Sequence, residues 1–278
     1  MIIGIVGLGL IGGSMARSIK KHTGYIVRGS DIDGRALAAA RRCGAVDEPL
    51  TEENIAACDL IFTAIAPRAT IQWARQYGGL ISPRGILIDL CGIKRSLQAA
   101  LGAIAGEYGF TYIGGHPMAG RERGGFAAST DDLFDGAPMI LTPGEGAGGP
   151  LLERLRLFFT AIGFAELTVT TPGEHDRVIA YTSQLAHIAS SAYIKSPEAL
   201  RRRGLSAGSF RDLTRVARLD PDIWTELMMD NADFLTEQLE RFIENLNEYL
   251  DALQSGDAAQ LHRLLKDGCE KKILAGGS

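Results

Sequence analysis

Three glycines at fixed spacing, Gly7, Gly9 and Gly12, constrain this chain more than any other feature. A short apolar run, Ile2-Ile3-Gly4-Ile5-Val6, too brief for most helices, leads straight into them. A helical pattern with Met15, Ala16 and Ile19 on one face follows. Strand, tight turn and helix in that order form the context in which Gly-x-Gly-x-x-Gly binds a dinucleotide. Gly7 allows the turn, Gly9 lets a pyrophosphate approach where a Cβ would collide, and Gly12 lets the helix pack close to the strand. The helix N-terminus then offers unpaired N–H groups and a positive dipole end to the phosphates. On this reading Gly7, Leu8, Gly9, Leu10, Ile11 and Gly12 form the phosphate-binding loop.

Glycine spacing alone is weak evidence in a chain with 34 glycines among 278 residues. A second feature strengthens it. Residues 25–31 read as a strand ending in Asp31, 19 residues beyond Gly12. A carboxylate at about that distance accepts hydrogen bonds from the adenosine ribose. Asp31 repels a 2′-phosphate, which favours NAD over NADP, while Arg28 and Arg35 stand nearby and work the other way.

The length predicts two domains. A net charge of −4 with no basic block argues against nucleic acid or an anionic membrane as partner. The four cysteines (Cys43, Cys58, Cys91, Cys269) have neither CxxC nor zinc-like spacing and read as reduced thiols. No leader pattern and no spanning apolar run is evident, so the expected compartment is the cytoplasm. Strand-like runs at 59–65, 85–90, 111–113, 138–142 and 165–171 alternate with amphipathic stretches at 33–42, 68–78, 94–107 and 151–163. Such alternation predicts an α/β class: an N-terminal doubly wound, Rossmann-type parallel sheet. Strand signals stop at Pro172, so residues 1–172 are read as the dinucleotide-binding domain and 173–278 as an all-helical domain. Long helices are expected at 174–195 and 221–253, with others at 209–218 and 257–273. Leu235, Leu239, Phe242, Leu246, Tyr249 and Leu253 follow a heptad rhythm. They form either a core face within their own domain or a dimer seam. Ligands of such folds bind beyond the carboxyl ends of the strands.

Gly114-Gly115-His116-Pro117-Met118-Ala119-Gly120 follows the strand predicted at 111–113, in the position of an active-site loop. Glycines beside His116 free the backbone to present one imidazole, the side chain best poised for proton transfer near neutral pH. The alternative is a loop histidine bonded to backbone.

The glycine motif, the Gly-Gly-His-Pro-Met-Ala-Gly segment, Ser183-Gln184-Leu185-Ala186-His187, and Gly208-Ser209-Phe210-Arg211-Asp212-Leu213-Thr214-Arg215 followed by Asp220-Pro221-Asp222-Ile223-Trp224 recur in this order in prephenate and arogenate dehydrogenases. Over essentially its whole length the chain resembles that family, most of all an NAD-dependent prephenate dehydrogenase without fused mutase or regulatory domain. The resemblance implies NAD(P)-dependent oxidative decarboxylation on the path to tyrosine, and a Rossmann domain joined to a helical domain that forms a homodimer. It implies that His116 takes the proton of the substrate's ring hydroxyl and that Arg215 holds a substrate carboxylate. His187 becomes a second active-site histidine, and Trp224 an aromatic that closes the pocket. Glu122 and Asp212 become acids of an ionic network with Arg215. The small-molecule substrate is prephenate, or arogenate in the close alternative.

The chain departs from the family pattern at Gly92, where a serine that orients the catalytic histidine is common, and at Arg121, where threonine is common. Water or Lys94 is the expected substitute for that serine. His175 and His262 read as surface or packing residues. Arg201-Arg202-Arg203 reads as a solvated loop, with an anionic effector site as the alternative. Two other classes compete: a non-catalytic NADH sensor, which has no need for His116 and Arg215 around one cleft, and a hydroxyacid or 6-phosphogluconate-type dehydrogenase. The latter uses a lysine in the first long helix of the helical domain, where Lys195 lies at the far end.

Overall fold

The structure is a computed structural model and describes residues 1–121, 123–144 and 147–276. Two compact units are present, Met1–Asn231 and Ala232–Ser278.

The first unit is built on one eight-stranded sheet. Its strands are β1 (Ile2–Val6), β2 (Ile26–Ser30), β3 (Glu48–Pro49), β4 (Leu60–Thr63), β5 (Ile86–Asp89), β6 (Thr111–Pro117), β7 (Pro138–Pro143) and β8 (Glu166–Val169). They lie in the order β3-β2-β1-β4-β5-β6-β7-β8. Helices α1 (Leu10–His22), α2 (Gly34–Arg42), α3 (Pro67–Tyr77), α4 (Arg95–Tyr108) and α5 (Gly149–Ala161) connect them. Chain direction in the sheet reverses its progress between β1 and β4, which makes that junction the topological switch point.

Apolar residues occupy both faces of the central strands, as a sheet covered on both sides requires. Ile3, Ile5, Phe62, Ile88 and Ile113 point to one cluster, filled by Met15 and Ile19 of α1 and Phe158 and Phe159 of α5. Their neighbours Val6, Ile61, Leu87 and Tyr112 point to the other, filled by Ala74 of α3 and Leu97, Leu101 and Ile104 of α4.

The sheet is mostly parallel, with one exception that bears on function. β6 and β7 pair antiparallel, with His116 opposite Ile140 and Pro117 opposite Met139. That pairing extends β6 four residues past the expected end at 113, so His116 stands in a strand and not in a loop. The expectation that Gly114 and Gly115 loosen the backbone is also corrected, since neither has a positive φ. They are small because the space is taken. A Cβ on Gly114 would lie 2.3 Å from Thr142 Oγ1 and 2.9 Å from Lys94 Cδ, and one on Gly115 would lie 2.7 Å from the Asp89 carbonyl.

After β8 the first unit continues with α6 (Pro172–Ile179), a π-turn at Ala180–Leu185, α7 (Ala186–Tyr193), α8 (Glu198–Arg201), α9 (Gly208–Thr214) and α10 (Pro221–Met229). The helix expected at 174–195 is therefore interrupted. Its π-turn buries Gln184, which donates to the Leu227 carbonyl at 3.0 Å. The helix expected at 221–253 is broken too. Fully buried Asn231 donates from its side chain to the Asp176 carbonyl (2.9 Å) and to Gln184 Oε1 (2.8 Å).

The second unit is a hairpin of α11 (Ala232–Ser255) and α12 (Ala258–Leu274). Tyr249 donates across it to the Leu264 carbonyl at 3.2 Å. In the heptad row Leu235 is buried, whereas Leu246 and Leu253 are 50% and 63% exposed. Among the described residues no helix is long and apolar enough to cross a membrane.

Candidate active site

The glycine loop sits at the switch point. Gly7 follows β1 with φ +87°, and a Cβ there would lie 2.6 Å from the Ala64 carbonyl just beyond β4. Gly12 is pressed against the same turn, where a Cβ would fall 1.9 Å from the Gly7 carbonyl. Gly9 differs, since nothing lies within 4 Å of the place its Cβ would occupy. No side chain caps the N-terminus of α1 at Gly9. An open space beside uncapped helix amides suits a pyrophosphate. Leu8 is fully buried, while Leu10 and Ile11 are partly exposed on the first turn. Asp31 follows β2 and accepts the Leu8 N–H at 2.6 Å and the Asp33 N–H at 2.8 Å. Those two bonds fix its carboxylate beside the loop. Arg28 is engaged by Glu48 (2.9 Å) and the Asn54 carbonyl (3.0 Å), and Arg35 by Asp33 (3.1 Å).

Register carries this edge of the sheet across to His116. Val6 pairs with Thr63, Thr63 with Asp89, and Asp89 with Gly114, one residue from each of β1, β4, β5 and β6. Gly7 lies one residue past that row and His116 two. Three strand spacings separate them laterally, about 14 Å. Tyr112, Gly114 and His116 alternate onto one face of β6.

Below His116 on that face is a buried polar cluster. Lys94 and Asp89 are fully buried and form an ion pair. Lys94 also donates to the Gly115 carbonyl at 2.6 Å, and Tyr112 donates its hydroxyl to Asp89 Oδ2 at 2.7 Å. Burial, then the Asp89 charge, push the Tyr112 phenol well above its ordinary range. The ring of His116 is held from the side. Its Nδ1 lies 2.9 Å from Nε2 of His175, and His175 Nδ1 lies 2.7 Å from Asp176 Oδ1. Although part of His116 reaches solvent, desolvation is the main cause that holds it well below the usual histidine range. His175 and the Lys94 cation push it the same way. Burial works to raise Asp176. The bonds from His175 and from the Arg95 and Lys94 amides outweigh it, and the carboxyl lies below its ordinary range.

His175 is thus corrected from a surface or packing residue to the direct partner of His116. The two residues are 59 apart in the chain, and no local pattern joins them. Lys94, expected to orient His116 in place of a serine at 92, instead bonds Asp89 and Gly115. A Cβ on Gly92 would lie 3.9 Å from His116 Cε1 and 3.7 Å from the Leu227 methyls, so Gly92 brings only backbone to the ring.

A second cluster gathers His187, Trp224 and Arg215. The rings of His187 and Trp224 are 3.9 Å apart between centroids, and His187 Nδ1 meets the Val216 carbonyl at 2.9 Å. Burial, with the Arg215 charge adding to it and the Val216 bond opposing it, lowers His187 below its ordinary range. Arg215 is exposed and has no ion-pair partner among the described residues. Asp212 pairs instead with Arg211 at 3.5 Å, both exposed, so the expected Asp212–Arg215 link is not formed. Glu122 lies outside the described residues. Helix α10 connects the two clusters, since Trp224 packs at a tilt against His187 and Leu227, one turn later, covers Gly92 beside His116.

Comparison with known proteins matches both the strand-rich and the helical parts of the chain. A family model described as "Prephenate dehydrogenase, nucleotide-binding domain" matches residues 15–166, and one described as "Prephenate dehydrogenase, dimerization domain" matches residues 171–267. The prephenate dehydrogenase of Bacillus subtilis (strain 168) is 30% identical over 275 residues, 94% of this chain and 72% of that protein. Synechocystis arogenate dehydrogenase is 27% identical, with a TM-score of 0.81 over 98% of this chain and 100% of its own. Prephenate dehydrogenase from A. aeolicus, in complex with hydroxyphenyl propionate and NAD+, is 25% identical, with a TM-score of 0.87 over 99% of this chain and 98% of its own.

Proposed function

The chain belongs to the prephenate dehydrogenase family, and from that premise we propose that it catalyses the NAD-dependent oxidative decarboxylation of prephenate to 4-hydroxyphenylpyruvate. The observation that carries this reading is His116, kept neutral two residues beyond the strand row that starts at the glycine loop.

The cradle of Gly7, Leu8, Gly9, Leu10, Ile11 and Gly12 fits the pyrophosphate of NAD, and Asp31 fits its adenosine ribose. Arg28 and Arg35, the cations that would welcome a 2′-phosphate, are both engaged by acids, which supports NAD over NADP. Bound NAD supplies the acceptor for the hydride that leaves the ring carbinol carbon. His116 Nε2 takes the proton of the ring hydroxyl. A base so placed is worth about 10²–10⁴ in rate. Loss of CO2 then makes the ring aromatic, and the phenolate oxygen takes back the proton that His116 holds. Arg215, with no ion-pair partner among the described residues, anchors a substrate carboxylate, a pairing its planar fork makes bidentate. His187 and Trp224 line the proposed substrate site with Arg215, and Asp212 and Glu122 join it as the acids that the family resemblance implies.

The functional division follows residues 1–172 and 173–278, in line with family models that end at 166 and resume at 171. Exposed Ile243, Leu246, Leu250 and Leu253 on α11 support a homodimer through the helical residues. Four unpaired cysteines suit the cytoplasm.

One observation favours a second substrate: the likeness to an arogenate dehydrogenase is as extensive as that to a prephenate dehydrogenase. Purified protein is to be assayed with prephenate and arogenate, each with NAD and NADP, following absorbance of the reduced cofactor and CO2 release. Fastest turnover of prephenate with NAD is expected. Faster turnover of arogenate moves the substrate assignment, and no turnover of either overturns the reading.

A further inference from the structure

Behind the ring of His116 runs a line of hydrogen bonds whose direction is fixed from its far end. That end is Asp176, which is almost fully buried and surrounded by donors. Its carboxylate accepts the Lys94 N–H at 2.8 Å, the Arg95 N–H at 2.9 Å and Arg95 Nε at 3.3 Å. Both amides belong to the N-terminus of α4, where a negative charge is favoured. A carboxyl group that receives this many hydrogens is ionised, and an ionised carboxylate only accepts. His175 Nδ1, 2.7 Å from it, therefore carries a hydrogen. A neutral imidazole has one N–H, so His175 Nε2 is a lone pair. His116 Nδ1, 2.9 Å from that lone pair, must then be the donor. The hydrogen of His116 is committed to the side facing away from the open site, and Nε2 is left bare.

We propose that His175 and Asp176 are positioning residues that hold His116 in its Nδ1–H tautomer, so that Nε2 is the atom that takes the substrate's hydroxyl proton. This inference rests on the reading of His116 as the base. Among the described residues His175 is the hydrogen-bond partner of the His116 ring, and Gly92 and Leu227 present no polar side-chain atom to it. The other charges near the ring belong to Lys94 and Asp89, paired with each other, with the Tyr112 hydroxyl on the second Asp89 oxygen. Burial, His175 and the Lys94 cation depress the basicity of His116, while Asp176, through the neutral His175 ring, steadies the imidazolium that forms during turnover. No proton has to travel along the line, since each link acts by orienting the next.

The test uses the full chain with His175→Leu and His175→Gln. Leucine fills the buried space and accepts nothing, while glutamine places an acceptor oxygen near the former Nε2. His175→Leu is expected to lower kcat about 100-fold with little change in KM, and His175→Gln to recover about tenfold of that loss. Histidine ¹⁵N NMR on the unliganded protein is expected to find His116 as the Nδ1–H tautomer in the wild type and as a mixture in His175→Leu. A wild-type His116 protonated at Nε2, or a His175→Leu kcat within about twofold of wild type, overturns the proposal. Equal losses in both variants with an unchanged tautomer overturn it as well. The NMR measurement needs no substrate, so a wrong substrate assignment appears as a wild type that fails to turn over and leaves the tautomer result standing.

Discussion

Replacing Lys94 by methionine removes one charge from a place that water does not reach. Lys94 and Asp89 are both 0% exposed. Besides its ion pair with Asp89, the ammonium donates to the Gly115 carbonyl at 2.6 Å. Asp89 keeps two other donors after the change, the Tyr112 hydroxyl at 2.7 Å and the Cys91 N–H at 3.0 Å. Breaking a buried pair from one side costs about 3–5 kcal/mol, because the remaining charge is stranded. The abandoned Gly115 carbonyl adds about 1–3 kcal/mol. Since two donors still serve Asp89, the lower end of that range applies, about 4 kcal/mol. In a unit of 231 residues this lowers Tm by about 8–16 °C. Lys94→Met combined with Asp89→Asn removes the stranded charge and is expected to regain about 2 kcal/mol or more. Urea unfolding followed by circular dichroism measures both. A single variant within about 1 kcal/mol of wild type, or a double variant no more stable than the single, refutes the argument that this pair is held by charge compensation.

Gly9→Ala is expected to leave thermal stability unchanged and to weaken NAD binding, while Gly12→Ala destabilises the protein itself, because only Gly12 has an atom in the way of a Cβ; calorimetry with and without NAD separates the two, and equal stability losses contradict the assignment. Arg215→Ala removes a charged anchor worth about 1.5–3 kcal/mol, so KM rises about 10–150-fold with kcat changed less; an unchanged KM excludes carboxylate anchoring. His116 acts only when neutral and its pKa is depressed, so kcat/KM holds steady as pH falls from neutrality and drops only below the ordinary histidine value of about 6.5; an acid limb at or above that value is inconsistent with His116 as the base.

Much of the first unit was legible from the chain alone. Six of its strands (β1, β2, β4, β5, β7 and β8) and five of its helices (α1 to α5) are placed to within a few residues, because apolar strands and amphipathic helices imprint their periods on the sequence. What was not legible depended on partners. β3 has two residues, Glu48 and Pro49, too few to carry a pattern. β6 reads as ending at Ile113 because glycine, histidine and proline are poor strand formers, yet antiparallel pairing with β7 overrides that preference. The breaks at Ala180–Leu185 and at Asn231 lie within continuous helical patterns and are set by tertiary bonds among Gln184, Leu227, Asn231 and Asp176.

The site divides along the same line. The glycines declare their purpose locally, since one turn decides what fits beside them. The partner of His116 does not, because a histidine followed by an aspartate near the start of a helix looks like many surface helix starts. Here that aspartate has two tasks at once. Its carboxylate occupies the N-terminus of α4 and its side chain fixes His175. Asn231 then ties the Asp176 carbonyl to the end of α10, and Arg95 Nη2 reaches Asn231 Oδ1 at 3.0 Å. A shift of α6 therefore leaves the amides of α4 without their acceptor and turns His116 out of register together. The orientation of the His116 ring is coupled to helix packing that the fold needs anyway, which explains why the imidazole is held without any side chain at position 92.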